Sequence, residues 1–164
     1  MKIARLTLSD RASAGTYADE SGPEIERIAA SQFAEPLEWI RLVLPDERVQ
    51  IERALCRLAD EEQCPLILTT GGTGPAARDV TPQATRAVLG TELPGFGELM
   101  RMQSYRKVPT AILSRATAGV RGRSLIVNLP GRPKAVSEIL PLLMPAIAEG
   151  IDHIAGFRPR LTTE

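Results

Sequence analysis

The segment Pro65–Thr69 constrains the fold most: it is continuously apolar up to its last position, with none of the alternation of a strand that shows one face to water. A strand of that kind lies inside a sheet covered by helices on both faces. The rest of the chain alternates around it. Ile3–Leu8 and Leu37–Leu44 read as strands, Thr110–Leu113 as a short one and Leu125–Asn128 as the last strong one. A polar loop, Ala12–Ser21, follows the first strand, and a helix is expected from Pro23. The next helix carries Val49, Leu55, Leu58 and Ala59 on one face. Thr81-Pro82 opens another, threonine as cap and proline in the first turn, which ends near Gly90. One more runs from Pro94-Gly95 to about Lys107. The last starts near Pro133 and is expected to break or kink at Pro141 and Pro145. This alternation predicts a three-layer α/β/α domain with a mainly parallel sheet. A length of 164 residues fits a single domain, 1–164.

In such sheets ligands bind outside the carboxyl ends of the strands. Here those ends carry Ser9-Asp10-Arg11, Leu44-Pro45-Asp46-Glu47, Thr69–Gly74, Leu113-Ser114-Arg115 and Asn128–Gly131. Nearly every unusual local sequence therefore falls on one rim.

The glycines of Thr69–Gly74 (TTGGTG) allow positive φ and close approach of backbone to a ligand, and successive N–H groups form an anion-binding concavity. A plain strand-to-helix turn is the competing reading. No Gly-Lys-Ser/Thr follows, so this is not a P-loop. Gly72–Ala77 fits G-x-G-x-x-A, with Glu92 about 20 residues on, but it follows the third strand rather than the first. Pro75 also removes an N–H where a phosphate would want one.

Asp79 follows at once. A carboxylate beside an anion loop is unfavourable unless a cation lies between them, which makes Asp79 a candidate Mg²⁺ ligand. The alternatives are an ion pair with Arg78 or a cap for the helix at Pro82. Asp46 and Asp10 stand at the ends of the second and first strands, each either a helix cap or part of the same metal site. Glu98 and Arg101 lie one helical turn apart and are placed to pair. Ser114-Arg115 is placed to hold a phosphate or carboxylate. Asn128–Lys134 offers a Gly131 turn, a helix N-terminus and a lysine, either a second anion site or an ordinary loop and helix cap.

Composition excludes other classes. Acidic and basic residues number 20 each, so the chain lacks the charge footprint of a nucleic-acid or membrane binder. His153 is the one histidine, near the end of the last helix, which makes a Ser–His–Asp triad or a His-rich zinc site improbable. Cys56 and Cys64 have no metal-ligand spacing and read as buried thiols. The N-terminus enters a strand directly, and no apolar stretch reaches the length of a signal peptide or membrane span, which points to the cytoplasm.

In order, the runs SDRASAGTYADESGP, LPDE, LILTTGGTGPAARDVTP, LPGFGE, AILSRATAGVRG and LIVNLPGRPKAV resemble the MogA/MoaB family, whose fold also occurs in the gephyrin G domain. RDVTP and NLPG are more similar to the MogA-type molybdopterin adenylyltransferases than to the MoaB branch. Arg132 stands where the family often has a smaller residue. The resemblance implies a homotrimer that transfers AMP from ATP to the terminal phosphate of molybdopterin, releases pyrophosphate, requires Mg²⁺ and passes its product to a molybdate-insertion protein. It makes Asp46 and Asp79 the essential, metal-holding acidic residues. It makes Gly71, Gly72, Thr73 and Gly74 the nucleotide loop; with the rim residues Ser9, Asp10, Thr70, Glu98, Ser114, Arg115, Asn128, Pro130, Gly131 and Lys134 these are the candidates for substrate contact. The alternatives are a MoaB-like pterin-binding protein without turnover and a trimeric scaffold of the gephyrin kind.

Overall fold

In the computed structural model, which describes residues 1–162, six strands form one sheet in the order β2-β1-β3-β6-β5-β4. They are β1 (Lys2–Leu8), β2 (Glu38–Leu44), β3 (Leu66–Thr70), β4 (Thr91–Glu92), β5 (Ala118–Arg121) and β6 (Ser124–Leu129). The first four in the sheet order pair parallel, and β5 and β4 extend one edge antiparallel. The helices are α1 (Asp10–Ser13), α2 (Ser21–Gln32), α3 (Arg48–Cys56), α4 (Thr81–Val88), α5 (Gly95–Tyr105) and α6 (Pro133–Ala155), and α3 continues into a π turn, Arg57–Glu61.

The period-2 alternation of the strands sorts side chains into two cores. Ile3, Leu66, Leu68, Leu125 and Val127 pack with α2 and α6 on one face. Ala4, Leu6, Leu8, Ile67 and Ile126 pack with α3 and α4 on the other. All of β3 is buried. Full burial contributes roughly 1.5–3 kcal/mol per large aliphatic side chain, which fixes β3 at the centre. From β1 the chain passes to β2 on one side and then to β3 on the other. The connections therefore diverge between β1 and β3, and at such a point a crevice opens at the carboxyl rim.

The structure departs from the sequence reading in several elements. Pro109–Leu113 is a 3₁₀ turn, not a strand. Proline opens it, Ile112 and Leu113 stay exposed, and the sheet edge nearby is taken by β4 and β5. Ser114-Arg115 nonetheless reaches the rim, because β5 runs antiparallel and its N-terminal approach lies at the carboxyl end of β6. Pro141 and Pro145 do not break α6, which is continuous over 23 residues. A helix-interior proline costs about 3 kcal/mol. Leu140, Leu143, Met144, Ile147 and Ile151, all buried on the sheet, outweigh that at roughly 1.5–3 kcal/mol each. Val49 is exposed, and Ile51, one turn before Leu55, takes the core position. Cys64 is buried, and burial pushes its thiol up to about 11; Cys56 is half-buried. Among the described residues no helix is long and apolar enough to cross a membrane.

Candidate active site

Three loops meet at the divergence point. The first follows β1. The Ser9 hydroxyl accepts the Ala12 N–H at 3.2 Å and caps α1. Asp10 and Asp46 then bind each other's backbone: the Asp10 N–H donates to Asp46 Oδ2, and the Asp46 N–H to Asp10 Oδ1, both at 3.0 Å. This reciprocal pair staples the end of β1 to the end of β2. Arg78 closes over it with a fork to both Asp10 oxygens at 2.9 and 2.7 Å, and reaches Glu47 at 3.1 Å. The Arg78 guanidinium holds the Asp10 carboxyl below its usual range.

Asp46 is left in a different state. Its Oδ1 is buried without a hydrogen-bond partner. Burial pushes its carboxyl up, and the charges of Asp10 and Asp79 add to that against the bond from the Asp10 N–H. It does not cap α3, whose cap residue is Glu47. Asp79 neither pairs with Arg78 nor caps α4; its Oδ2 accepts the Ala76 N–H at 3.0 Å across a short turn.

The second loop follows β3. Gly71 and Gly72 take φ of +94° and +64°, a region disfavoured for other residues. A side chain at Gly71 would run into the Leu8 carbonyl. A Cβ at Gly72 would lie 2.9 Å from Asp46 Oδ1, and one at Gly74 2.7 Å from Asp79 Oδ2. Glycine thus lets the backbone pass against both carboxylates. Thr81 fastens the loop rather than capping α4: its hydroxyl donates to the Gly71 carbonyl at 2.9 Å and its N–H to the Gly72 carbonyl at 3.1 Å. The third loop follows β6. The Thr70 hydroxyl donates to the Pro130 carbonyl at 2.6 Å and the Ser21 hydroxyl to the Gly131 carbonyl at 2.7 Å.

Two cavities flank these loops. One, of about 500 Å³, is acidic: Asp10, Asp19, Glu20, Asp46 and Asp79 line it against Arg11 and Arg132. The other, of about 480 Å³, is basic: Arg101, Lys107, Arg132 and Lys134 line it against Glu138. They share Gly131 and Arg132, at the N-terminus of α6, whose unpaired N–H groups favour anions.

Of the residues singled out in the sequence, Ser9, Asp10, Asp46, Thr70, Gly71, Gly72 and Asp79 line the acidic cavity. Thr73, Ser114, Pro130 and Lys134 line the basic one, and Gly131 lines both. Gly74, Glu98, Arg115 and Asn128 line neither. Glu98 is exposed on α5. Asn128 is buried in the sheet and donates to the hydroxyls of Thr69 and Thr85. Arg101 turns from Glu98 to the carbonyls of Ser114 and Ala116. Glu92 bonds Arg86 and Thr117 instead of facing a ligand. Asp10, expected as a third metal carboxylate, is engaged with protein instead: Arg78 bonds both its oxygens and the Asp46 N–H bonds one of them. Among the described residues no three acidic, histidine or cysteine groups gather as metal ligands.

Asp19 is one acidic-cavity residue that sequence reasoning missed. Arg5 holds it at 2.6 Å, and its Oδ1 accepts the Gly22 N–H in the first turn of α2. The available signal was Arg5 itself, a charge inside the apolar strand Ile3–Leu8 that demands a partner. Arg132 and Lys107 carry no comparable signal.

Fold and site together define a doubly wound α/β domain with its cavities at the carboxyl rim of the parallel strands, where such folds bind ligands. Residues 4–149 match the family described as "Probable molybdopterin binding domain", and the chain belongs to it. It is 53% identical over 154 residues to the molybdopterin adenylyltransferase of Helicobacter pylori strain J99, covering 94% of this chain and 88% of that one. With the molybdopterin adenylyltransferase of Escherichia coli K12 it shares 51% over 140 residues, 85% of this chain and 72% of the other. The crystal structure of the molybdopterin biosynthesis enzyme MoaB from Thermus thermophilus superposes with a TM-score of 0.88 at 42% identity, over 97% of this chain and 99% of that one.

Proposed function

We propose that the chain, acting as one domain over 1–164, is a molybdopterin adenylyltransferase of molybdenum cofactor biosynthesis. The observation that carries this reading is the pair of oppositely charged cavities meeting at Gly131 and Arg132. A cation-bearing nucleotide suits the acidic cavity, and an anionic pterin phosphate suits the basic one. The identity of about half with two adenylyltransferases supports it.

The donor set fits Mg²⁺. Asp46 presents a buried oxygen with no partner, and Asp79 lies near enough for its charge to act on Asp46. These two would hold the ion, with phosphate oxygens and water completing a hard, oxygen-only set. When bound, Mg²⁺ would neutralise charge on the triphosphate. The remaining work falls to the chain. Backbone N–H groups of the glycine loop and the α6 N-terminus orient the phosphates, and Lys134 and Arg101 hold the incoming phosphate in line with the α-phosphorus. A phosphate oxygen of molybdopterin then bonds to the α-phosphorus as the bond to the bridging oxygen of the β-phosphate breaks, and pyrophosphate leaves. A phosphate monoester is largely ionised at neutral pH, so no general base is required.

As in the sequence reading, we place the enzyme in the cytoplasm, as a homotrimer that delivers its product to a molybdate-insertion protein. The exposed Leu99, Met102, Tyr105, Val108 and Ile112 of α5 and the neighbouring turn support self-association. Sedimentation at about three times the 17.8 kDa chain mass is the expected result, and a monomer would overturn it.

Pyrophosphate release tests the activity. Release that requires ATP, Mg²⁺ and molybdopterin together is expected. Tight pterin binding with no release would make the chain a pterin-binding protein instead.

A further inference from the structure

Arg115 lines neither cavity but bonds a residue of each, Thr73 of the basic one and Asp79 of the acidic one. Its guanidinium is committed to backbone: Nε donates to the Gly74 carbonyl at 2.9 Å and Nη2 to the Asp79 carbonyl at 2.6 Å. Its own N–H donates to the Thr73 carbonyl at 2.8 Å. One residue therefore grips the stretch from 73 to 79 at both ends. That stretch has no helix or strand and is exposed over 75–78, so holding it in one conformation has to offset the backbone entropy lost on ordering it. The Asp79 carboxylate belongs to this loop and faces the acidic cavity.

Arg115 is itself held. Arg101, from α5, donates to the carbonyls on either side of it, Ser114 at 3.2 Å and Ala116 at 3.0 Å. Gly97 allows α5 to come this close, because a Cβ there would run into the Ala116 carbonyl and lie 3.0 Å from Arg101 Nη1. The planar fork of arginine matches two acceptors at fixed spacing, which the single ammonium of lysine does not.

We propose that Arg115 is a positioning residue for Asp79: it clamps both ends of the 74–79 loop and so holds that carboxylate in the acidic cavity, with Arg101 as its brace. This rests on the reading of Asp79 as a holder of the nucleotide's cation. Because Arg101 also lines the basic cavity, the brace joins the two cavities through the Ser114–Ala116 backbone.

The test uses Arg115→Lys and calorimetry of ATP with and without Mg²⁺, alongside hydrogen exchange at residues 74–79. The variant is expected to keep its fold and to bind ATP without Mg²⁺ within about twofold of wild type, while the Mg²⁺-dependent gain in ATP affinity falls about tenfold and exchange of the Ala76 and Asp79 amides accelerates. A purely structural arginine would lower the melting temperature without separating the two affinities. Should Arg115→Lys fail to fold, Arg101→Lys, which leaves the clamp but removes the brace, is expected to show the same separation to a smaller extent. If wild type gains nothing from Mg²⁺, the reading of Asp79 fails and the proposal with it. If wild type gains and the variants gain equally, Arg115 alone is wrongly assigned.

Discussion

Asp46 has two oxygens in opposite situations: Oδ2 accepts the Asp10 N–H, and Oδ1 is buried without a partner. A buried, unpaired carboxylate oxygen costs stability, and a cation would relieve it. The pH dependence follows from the direction of the shift. The Asp46 carboxyl is pushed above its ordinary 3.8, so between that value and its folded value the folded chain binds more protons than the unfolded one. Its contribution to stability therefore improves as pH falls through the folded value, and its cost is complete above it. Asp10, held down by Arg78, runs the other way: its contribution is present above 3.8 and lost as pH falls through its lower folded value. Asn at position 46 can still accept the Asp10 N–H but carries no charge. Asp46→Asn is expected to melt no lower than wild type at neutral pH, with the difference narrowing as pH falls toward about 4. Its adenylyl transfer should drop about a hundredfold, or ~3 kcal/mol in the barrier. Melting curves across pH and pyrophosphate release measure both. A lower melting point with normal turnover would make Asp46 a structural staple. Asp79→Asn, which can keep its bond from Ala76, is expected to lose turnover to a similar degree without that gain in stability.

The glycine loop after β3 touches both carboxylates and the ends of β1 and β6 by backbone alone. Gly72→Val would place a branched side chain against the Thr81 hydroxyl and Asp46 at a positive φ. The variant is expected to weaken ATP binding about tenfold or more while β3, buried on both faces, keeps the fold; calorimetry on folded protein reads this, and wild-type affinity would remove the loop from the site. This loop was legible because strand, glycines and acid stand together in sequence. So were β1, β3, β6 and the rim, whose signals are local: apolar runs, capping residues and glycines. The β4–β5 edge was not. β4 is two residues long, and β5 begins with Ala118-Gly119, so neither has the apolar content that marks a strand. The hint was Gly122 in the two-residue turn that joins β5 to β6. The roles of Arg78, Arg101 and Arg115 were illegible for a different reason. Their carboxylate and carbonyl partners lie from 13 residues away (Ser114 for Arg101) to 68 (Asp10 for Arg78), and only the packed topology decides whether a guanidinium meets a carboxylate, a carbonyl or a cavity.

Across the whole molecule, α6 carries the site at one end and the single histidine near the other. His153 lies twenty residues beyond Pro133, about 30 Å along the helix, and pairs with Glu149 while 70% exposed. His153→Ala is expected to leave turnover unchanged, and a tenfold loss in a protein of unchanged assembly would contradict a mechanism without imidazole. The N-terminal end of α6 borders both cavities at once, through Arg132, which lines both, and Lys134, which lines the basic one. If nucleotide and pterin occupy different cavities, damage to one should leave binding to the other intact. Lys134→Ala removes one charge-assisted contact, worth about 1.5–3 kcal/mol, and is expected to weaken molybdopterin binding about tenfold or more while Mg²⁺-dependent ATP binding stays within a few-fold. Asp79→Asn is expected to do the reverse. Titrating each ligand into each variant gives four affinities, and a crossed pattern is the signature of two sites. If each variant weakens both ligands equally, the cavities form one shared subsite. If neither weakens molybdopterin, the basic cavity is not where its phosphate sits, and the cationic group to test next is Arg132, which lines both.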